Sequence, residues 1–181
     1  PMWKSSWRTS KTTVNCVPTT GLQESRIYER LAVSGAGGDL LRPGGMVLTE
    51  RAVALCGFHP GSHLLDVGCG TGGTVEHLGA RYGFRAVGVD PSYVMINQGL
   101  ARNKGMKLVL AQGERLPFPD ALFEGALAEC SLSLAQDPEH ALMECHRVLK
   151  NGGKLILSDI YLRSEETAPE MRSLRLHCCL T

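Results

Sequence analysis

The run His63-Leu64-Leu65-Asp66-Val67-Gly68-Cys69-Gly70-Thr71-Gly72-Gly73 reads as a short apolar strand that ends in an acidic residue and breaks into a glycine loop. A helix pattern follows, with Val75, Leu78 and Tyr82 on one face. Glycine at 68, 70 and 72 lets the backbone turn tightly and approach a ligand closely, because no side chain stands in the way. The first N–H groups of the helix have no partner within it and point back at whatever the loop holds. Strand, loop and helix in this order form a nucleotide-type binding loop at the carboxyl end of a strand, where open α/β sheets place their ligands.

The glycines alone leave the ligand open. Gly68, Gly70 and Gly73 also satisfy G-x-G-x-x-G, the fingerprint of dinucleotide binding. Asp66 leans away from that reading, since its charge would repel a pyrophosphate against the loop. S-adenosylmethionine carries an ammonium and a sulfonium and no phosphate, so a carboxylate is tolerable there or helpful. Arg85-Ala86-Val87-Gly88-Val89-Asp90 supplies a second acidic residue, about 20 residues on, at the end of the next strand, placed to accept ribose hydroxyls. That spacing suits both cofactors.

Lys107–Ala111 reads as a third strand, followed by Gln112-Gly113-Glu114-Arg115-Leu116-Pro117-Phe118-Pro119-Asp120. With this element the chain resembles the class I S-adenosylmethionine-dependent methyltransferases. LLDVGCGTGG, VGVDPS, QGERLPFPDALF, RVLKNGGKL and LILSDIYL occur in that family's order and spacing across residues 44–162. The closest likeness is to the small-molecule branch that includes quinone C-methylases and arsenite methyltransferases. One departure is Glu114-Arg115 in place of the usual Asp-Ala after the third strand.

The resemblance implies S-adenosyl-L-methionine as cofactor, held by Asp66, Gly68, Cys69, Gly70, Gly72, Asp90, Pro91, Gly113, Glu114 and Arg115. Asp66 stands beside the methionine portion, Asp90 on the ribose and Glu114 near the adenine. Glu129 and Cys130, at the end of a fourth strand over Phe123–Leu132, are the candidates beside the transferring methyl group. No metal ligand set is expected. The reaction class implied is direct in-line methyl transfer to a small-molecule acceptor. A nicotinamide-dependent oxidoreductase on the same glycines, or a non-catalytic cofactor- or partner-binding domain, are the alternatives.

Length and charge narrow the class. The 181 residues hold 19 Lys and Arg against 18 Asp and Glu, a net charge of +1, and the two signs are interspersed from residue 22 onward. No basic face of the kind that binds nucleic acid is expected. No apolar run approaches the ~20 residues of a membrane span, and no signal-peptide order is seen near the start. The expectation is a soluble cytoplasmic protein. The seven cysteines include no C-x-x-C, and reduced thiols fit that compartment.

Alternating strands and helices predict a parallel sheet with right-handed crossovers, and the resemblance implies a doubly wound, Rossmann-like, mostly parallel sheet of order 3-2-1-4-5. Four segments are expected: a tail over 1–20 carrying Trp3 and Trp7, an N-terminal helical lid over 21–57, a cofactor-binding core over 58–163, and a C-terminal helix over 164–181. The lid includes a helix over Leu22–Val33 and a second one with Leu48, Ala52 and Leu55 inward. Further helices are expected over Ser92–Arg102, with Tyr93, Ile96 and Leu100 inward, and from Asp137-Pro138, with Leu142, Cys145 and Leu149 inward and a stop at Asn151-Gly152-Gly153. The fifth strand is expected over Lys154–Tyr161. The family resemblance implies two more strands after it, so a truncated chain is expected. Its open edge would be covered by residues 164–181 or by a second copy in a homodimer.

Overall fold

The computed structural model describes Glu29 and residues 42–160. The tail with Trp3 and Trp7, the helix over Leu22–Val33 other than Glu29, Cys178-Cys179 and the segment 164–181 lie outside the described residues. Helix α1 (Gly45–Cys56) leads into strand β1 (His63–Val67), helix α2 (Gly73–Tyr82), β2 (Arg85–Asp90), α3 (Tyr93–Arg102) and β3 (Leu108–Leu110). Then come β4 (Phe123–Glu129), a 3-10 turn (Leu132–Leu134), α4 (Pro138–Val148) and β5 (Leu149–Ser158). All the pairings are parallel and the order is β3-β2-β1-β4-β5, as expected. Among the described residues β5 has β4 as its one neighbour, and none of their helices is long and apolar enough to cross a membrane.

Side chains alternate across each strand, so the sheet has two faces and two cores. Leu65, Val67, Ala126 and Ala128 face one layer, closed by Ala141, Cys145 and Val148 of α4 and by Phe118, which meets Phe123 edge-on. Leu64, Leu127 and Ile156 face the other layer, closed by Val53 of α1 and Leu78 of α2, with Phe84 alongside. In that second layer Leu64 and Leu127 are fully buried. Truncating either to Ala falls in the class that costs about 2–5 kcal/mol.

Three helices bury a face that matches their apolar spacing only in part: Ile96 of α3 and Cys145 of α4 are inward as expected, and the other expected positions are not fully buried. In α1 the buried residues are Thr49 and Val53, whereas Leu48 and Leu55 are 39% and 83% exposed. The cause is polar: Thr49 is drawn inward by a carboxylate on β4. In α3, Met95, Ile96 and Gly99 are buried and Tyr93 is 66% exposed. A Cβ on Gly99 would stand 2.3 Å from the Thr71 carbonyl oxygen, so glycine lets this helix lie against the loop. In α4 the inner residues are Ala141, Cys145 and Val148, and Leu142 is turned out. The small Ala141 lets α4 approach Gly113, whose added Cβ would lie 3.5 Å from that of Ala141.

Two boundaries also move. Strand β4 ends at Glu129 rather than Leu132, because Cys130 takes a left-handed φ of 53° and turns the chain. The Asn151-Gly152-Gly153 run does not stop α4, which ends at Val148; β5 begins at Leu149 and absorbs Gly152 (φ 77°) in an irregularity opposite Phe123 and Gly125.

The start of α4 is as the sequence indicates. Asp137 Oδ1 accepts the His140 N–H at 3.0 Å and Pro138 occupies the first turn, where no N–H is needed. Asp137→Ala is expected to lower stability by about 1 kcal/mol. Urea unfolding would show this as a reduced midpoint with an unchanged slope.

Candidate functional site

The second core layer becomes polar as it reaches the carboxyl edge of the sheet. Two residues beyond Leu64 on β1 stands Asp66; two beyond Leu127 on β4 stands Glu129; two beyond Ile156 on β5 stands Ser158. One helical turn from Val53, α1 presents Thr49. Period two along the strands and period near four along the helix thus aim four polar residues at one place. Asp66, Glu129 and Thr49 are 5%, 7% and 0% exposed.

Arg42 closes the group. Its Nη2 lies 2.9 Å from Glu129 Oε2 and also donates to Thr49 Oγ1. The Thr49 hydroxyl in turn lies 3.0 Å from both Glu129 oxygens, sharing its single proton between them. Asp66 receives no hydrogen bond among the described residues. Burial, and then the negative charge of Glu129, push its carboxyl up to about 7, against the opposing pull of Arg42. Burial also raises Glu129, with Arg42 and Thr49 acting the other way. Two buried polar atoms have no partner among the described residues: Arg42 Nε and Ser158 Oγ.

The glycine loop stands beside this cluster. Gly68, Gly70 and Gly72 all have positive φ, 79°, 55° and 82°. At Gly68 a Cβ would fall 2.3 Å from the Ser131 Cβ, and Ser131 Oγ donates to the Val67 carbonyl at 2.6 Å, which pins the turn after β4 to the loop. A Cβ on Gly70 would meet only Met95 Cε, at 3.8 Å. The loop is therefore closed on its Gly68 side and open at Gly70. The N–H groups of Gly68 and Cys69 both reach the Val89 carbonyl, at 2.8 and 2.9 Å.

Asp90 organises the far side. Its Oδ2 accepts the Gly70 N–H and its Oδ1 the Ser92 N–H, both at 2.8 Å. Burial raises its pKa, and these two donors oppose the rise. A carboxylate has about four lone-pair sites, so each oxygen retains one for a ligand. Glu29 reaches this corner, accepting from Ser92 Oγ at 2.5 Å.

The structure thus brings Asp66, Gly68, Cys69, Gly70, Gly72, Asp90, Glu129 and Cys130 to one edge of the sheet. Pro91 is exposed between Asp90 and α3. The Cys69 thiol is pushed far up by burial and by Asp66 and Asp90, so it stays protonated. The segment after β3 is differently arranged. Glu114 Oε1 accepts the N–H groups of Gln136 and Asp137, at 2.8 and 3.2 Å, and so ties its loop to the approach of α4. Gly113 is a close-packing position, since its Cβ would lie 3.2 Å from Val67. Arg115 is exposed and closes a turn onto Gln112. Arg42, Thr49 and Ser158 are absent from the residues that the sequence suggests. Among the described residues, no group of three or more His, Cys, Asp and Glu is placed to hold a metal.

A family model described as a methyltransferase domain matches residues 65–157, a span that runs from β1 to β5. The chain belongs to the class I S-adenosylmethionine-dependent methyltransferases. Phosphoethanolamine N-methyltransferase 1 of Zea mays is 32% identical over 136 residues, covering 73% of this chain and 26% of that protein. O-methyltransferase resE of Aspergillus sclerotiorum is 33% identical over 129 residues, covering 68% of this chain and 49% of that protein. The chain therefore spans between about a quarter and a half of these relatives. Among solved structures, the [4+2]-cyclase SpnF matches with a TM-score of 0.65 at 27% identity, over 72% of this chain and 57% of that one. Haemonchus contortus phosphoethanolamine N-methyltransferase 2, in complex with S-adenosyl-L-methionine, shares the fold with a TM-score of 0.71 at 20% identity, over 85% of this chain and 37% of that one.

In this methyltransferase domain the buried Asp66 makes stability depend on pH. Its pKa is about 7 in the folded chain, above the ordinary 3.8. The folded state therefore holds a proton that the unfolded state has lost, and the stability this proton confers is complete below 3.8 and lost as pH rises through 7. Asp66→Asn removes that dependence. The difference in urea midpoint between Asp66→Asn and wild type is expected to grow in favour of the variant from pH 4 to pH 7.5. A difference that stays constant with pH would show that Asp66 titrates normally.

Proposed function

We propose that this protein transfers a methyl group from S-adenosylmethionine to a small-molecule acceptor at the carboxyl edge of β1, β2 and β4. One observation carries the reading: two buried carboxylates, Asp66 and Glu129, face a single guanidinium beside an open glycine loop. The negative charge that Asp66 adds on ionising suits a sulfonium and an ammonium, and would repel a pyrophosphate. Family membership supports the same choice over a nicotinamide cofactor.

The residues fit the cofactor in three places. The open side of Gly70 admits the close approach of a ligand, Asp90 keeps acceptor capacity for the ribose hydroxyls, and Asp66 faces the amino-acid end. When bound, the cofactor supplies a methyl group already activated by its sulfonium. The protein's task is then to align the acceptor in line and to exclude water. Glu129 is held by Arg42 and Thr49, which supports a role in shaping and charging the acceptor wall. Cys130 turns the chain there with its N–H donated to the Ser158 carbonyl at 2.7 Å. Glu114 ties its loop through Oε1 and keeps Oε2 for the adenine amino group. The N-terminal region 21–57, represented here by Glu29, Arg42 and α1, serves as the cover over this edge, and residues 58–163 form the cofactor-binding core. The relatives are, by their names, a phosphoethanolamine N-methyltransferase and an O-methyltransferase; a small amine or hydroxylated acceptor is the class we assign.

Calorimetry with S-adenosylmethionine, S-adenosylhomocysteine and NAD tests the cofactor, with binding of the first two and none of NAD expected. Asp90→Ala removes hydrogen bonds to an ionised acceptor, each worth roughly 1.5–3 kcal/mol. Cofactor affinity should fall at least about tenfold while the far-ultraviolet circular dichroism is unchanged. An Asp90→Ala protein that binds as tightly as wild type would sink the ribose assignment.

Gly70→Val probes the open side of the loop. The side chain would project into the space left for the cofactor, and its φ of 55° adds a backbone cost of roughly 1–2 kcal/mol. Loss of binding in a folded protein is expected. Retained binding, or loss that merely follows unfolding, would count against the placement.

A further inference from the structure

The Arg42 side chain is 10% exposed, and its Nη2 is engaged by Glu129 and Thr49. Its Nε is buried and has no partner among the described residues. Arginine nitrogens only donate, so whatever completes this site must offer a lone pair. Across from it, Asp66 is a buried carboxyl that receives no hydrogen bond among the described residues, and Arg42 is near enough to act on its charge.

The unmet needs are therefore of opposite sign: an acceptor for Arg42 Nε and a donor for Asp66. A simple anion would leave Asp66 without a donor and would oppose its ionisation. A simple cation would leave Nε unpaired. An α-amino acid group, with its carboxylate and ammonium on one carbon, answers both. The cofactor proposed above carries such a group, and the cluster borders the glycine loop that would hold the rest of it.

We infer that Arg42 recognises the carboxylate at the amino-acid end of S-adenosylmethionine, with Asp66 opposite it taking the ammonium. The inference rests on the cofactor reading and adds a binding residue from the segment preceding α1. Arg42 then has two tasks at once, holding Glu129 on the acceptor wall and measuring the length of the cofactor. A ligand with the adenosine half but no amino acid would bind without sensing Arg42 at all.

That difference gives the test. The 181-residue chain is titrated calorimetrically with S-adenosylhomocysteine and with 5′-methylthioadenosine, which keeps adenosine and thioether but lacks the amino-acid group. In Arg42→Gln the affinity for S-adenosylhomocysteine is expected to fall about tenfold or more, the loss typical of a charged hydrogen bond, with 5′-methylthioadenosine within about twofold of wild type. Arg42→Gln leaves Glu129 without its counter-charge, so Arg42→Lys is measured beside it. Lysine preserves that charge but not the planar guanidinium, and a fall of roughly threefold or more in the ratio of the two affinities is expected. A ratio within about twofold of wild type in either folded variant would overturn the inference. It would mean that Nε meets an oxyanion of the acceptor, or none. A wild-type chain that binds neither ligand would bring down the cofactor reading itself, and this inference with it.

Discussion

Period-two alternation governs what stands at the working edge of this sheet. Leu64, Leu127 and Ile156 are committed to the layer beneath α1 and α2, and so the residues two further along, Asp66, Glu129 and Ser158, must emerge on the same side. A one-residue slip in β1 or β4 would carry the carboxyl group of Asp66 or Glu129 to the opposite core face, and in β5 it would do the same to the Ser158 hydroxyl. The apolar layer thus sets the register, and the register sets the polar cluster. Helix α1 obeys the same demand, because Val53 in the core places Thr49 one turn away at the mouth.

The electrostatic consequence is a site that stability alone would not select. Burying carboxyl groups is costly unless each is fully paired, and here one guanidinium serves two of them. Glu129 obtains the ion pair and a hydroxyl; Asp66 keeps neither and holds a proton instead up to about pH 7. Local conflicts of this kind collect where a protein is built to receive something. The surrounding structure tolerates the conflict because the layer below is well packed, with Leu64, Leu127 and Leu78 fully buried.

Much of this was legible in the sequence. The strands, the glycine loop and the acidic ends of β1 and β2 follow from local spacing, because each is decided by neighbours within a few residues, whereas the strand order, which pairs Leu64 with Gly125, came with the family resemblance. The faces of α1, α3 and α4 were legible only in part, through Ile96 and Cys145. Apolar residues on these short helices lie on more than one side, and what selects the buried side is a distant partner: a carboxylate on β4 for Thr49, the Thr71 carbonyl for Gly99, and the loop at Gly113 for Ala141. Arg42 was invisible for the same reason, since 87 residues separate it from Glu129. Glu114 carries a structural duty that its position after β3 did not reveal, because Gln136 and Asp137, whose N–H groups its Oε1 accepts, lie more than twenty residues further on.

Asp90 ties Gly70 and Ser92 with its own oxygens, and that has a kinetic side. A loop fixed by protein hydrogen bonds needs little ordering when a ligand arrives, so affinity is not reduced by the entropy of organising it. The same rigidity cannot tell a spent cofactor from a fresh one, because the adenosine half is identical in both. In the placement we propose, discrimination between them then falls to the region around Asp66 and Glu129, where the charge of the sulfonium is present before the reaction and gone after it. On this view the rigid half of the site sets how long a nucleoside stays, and the charged half sets when it leaves.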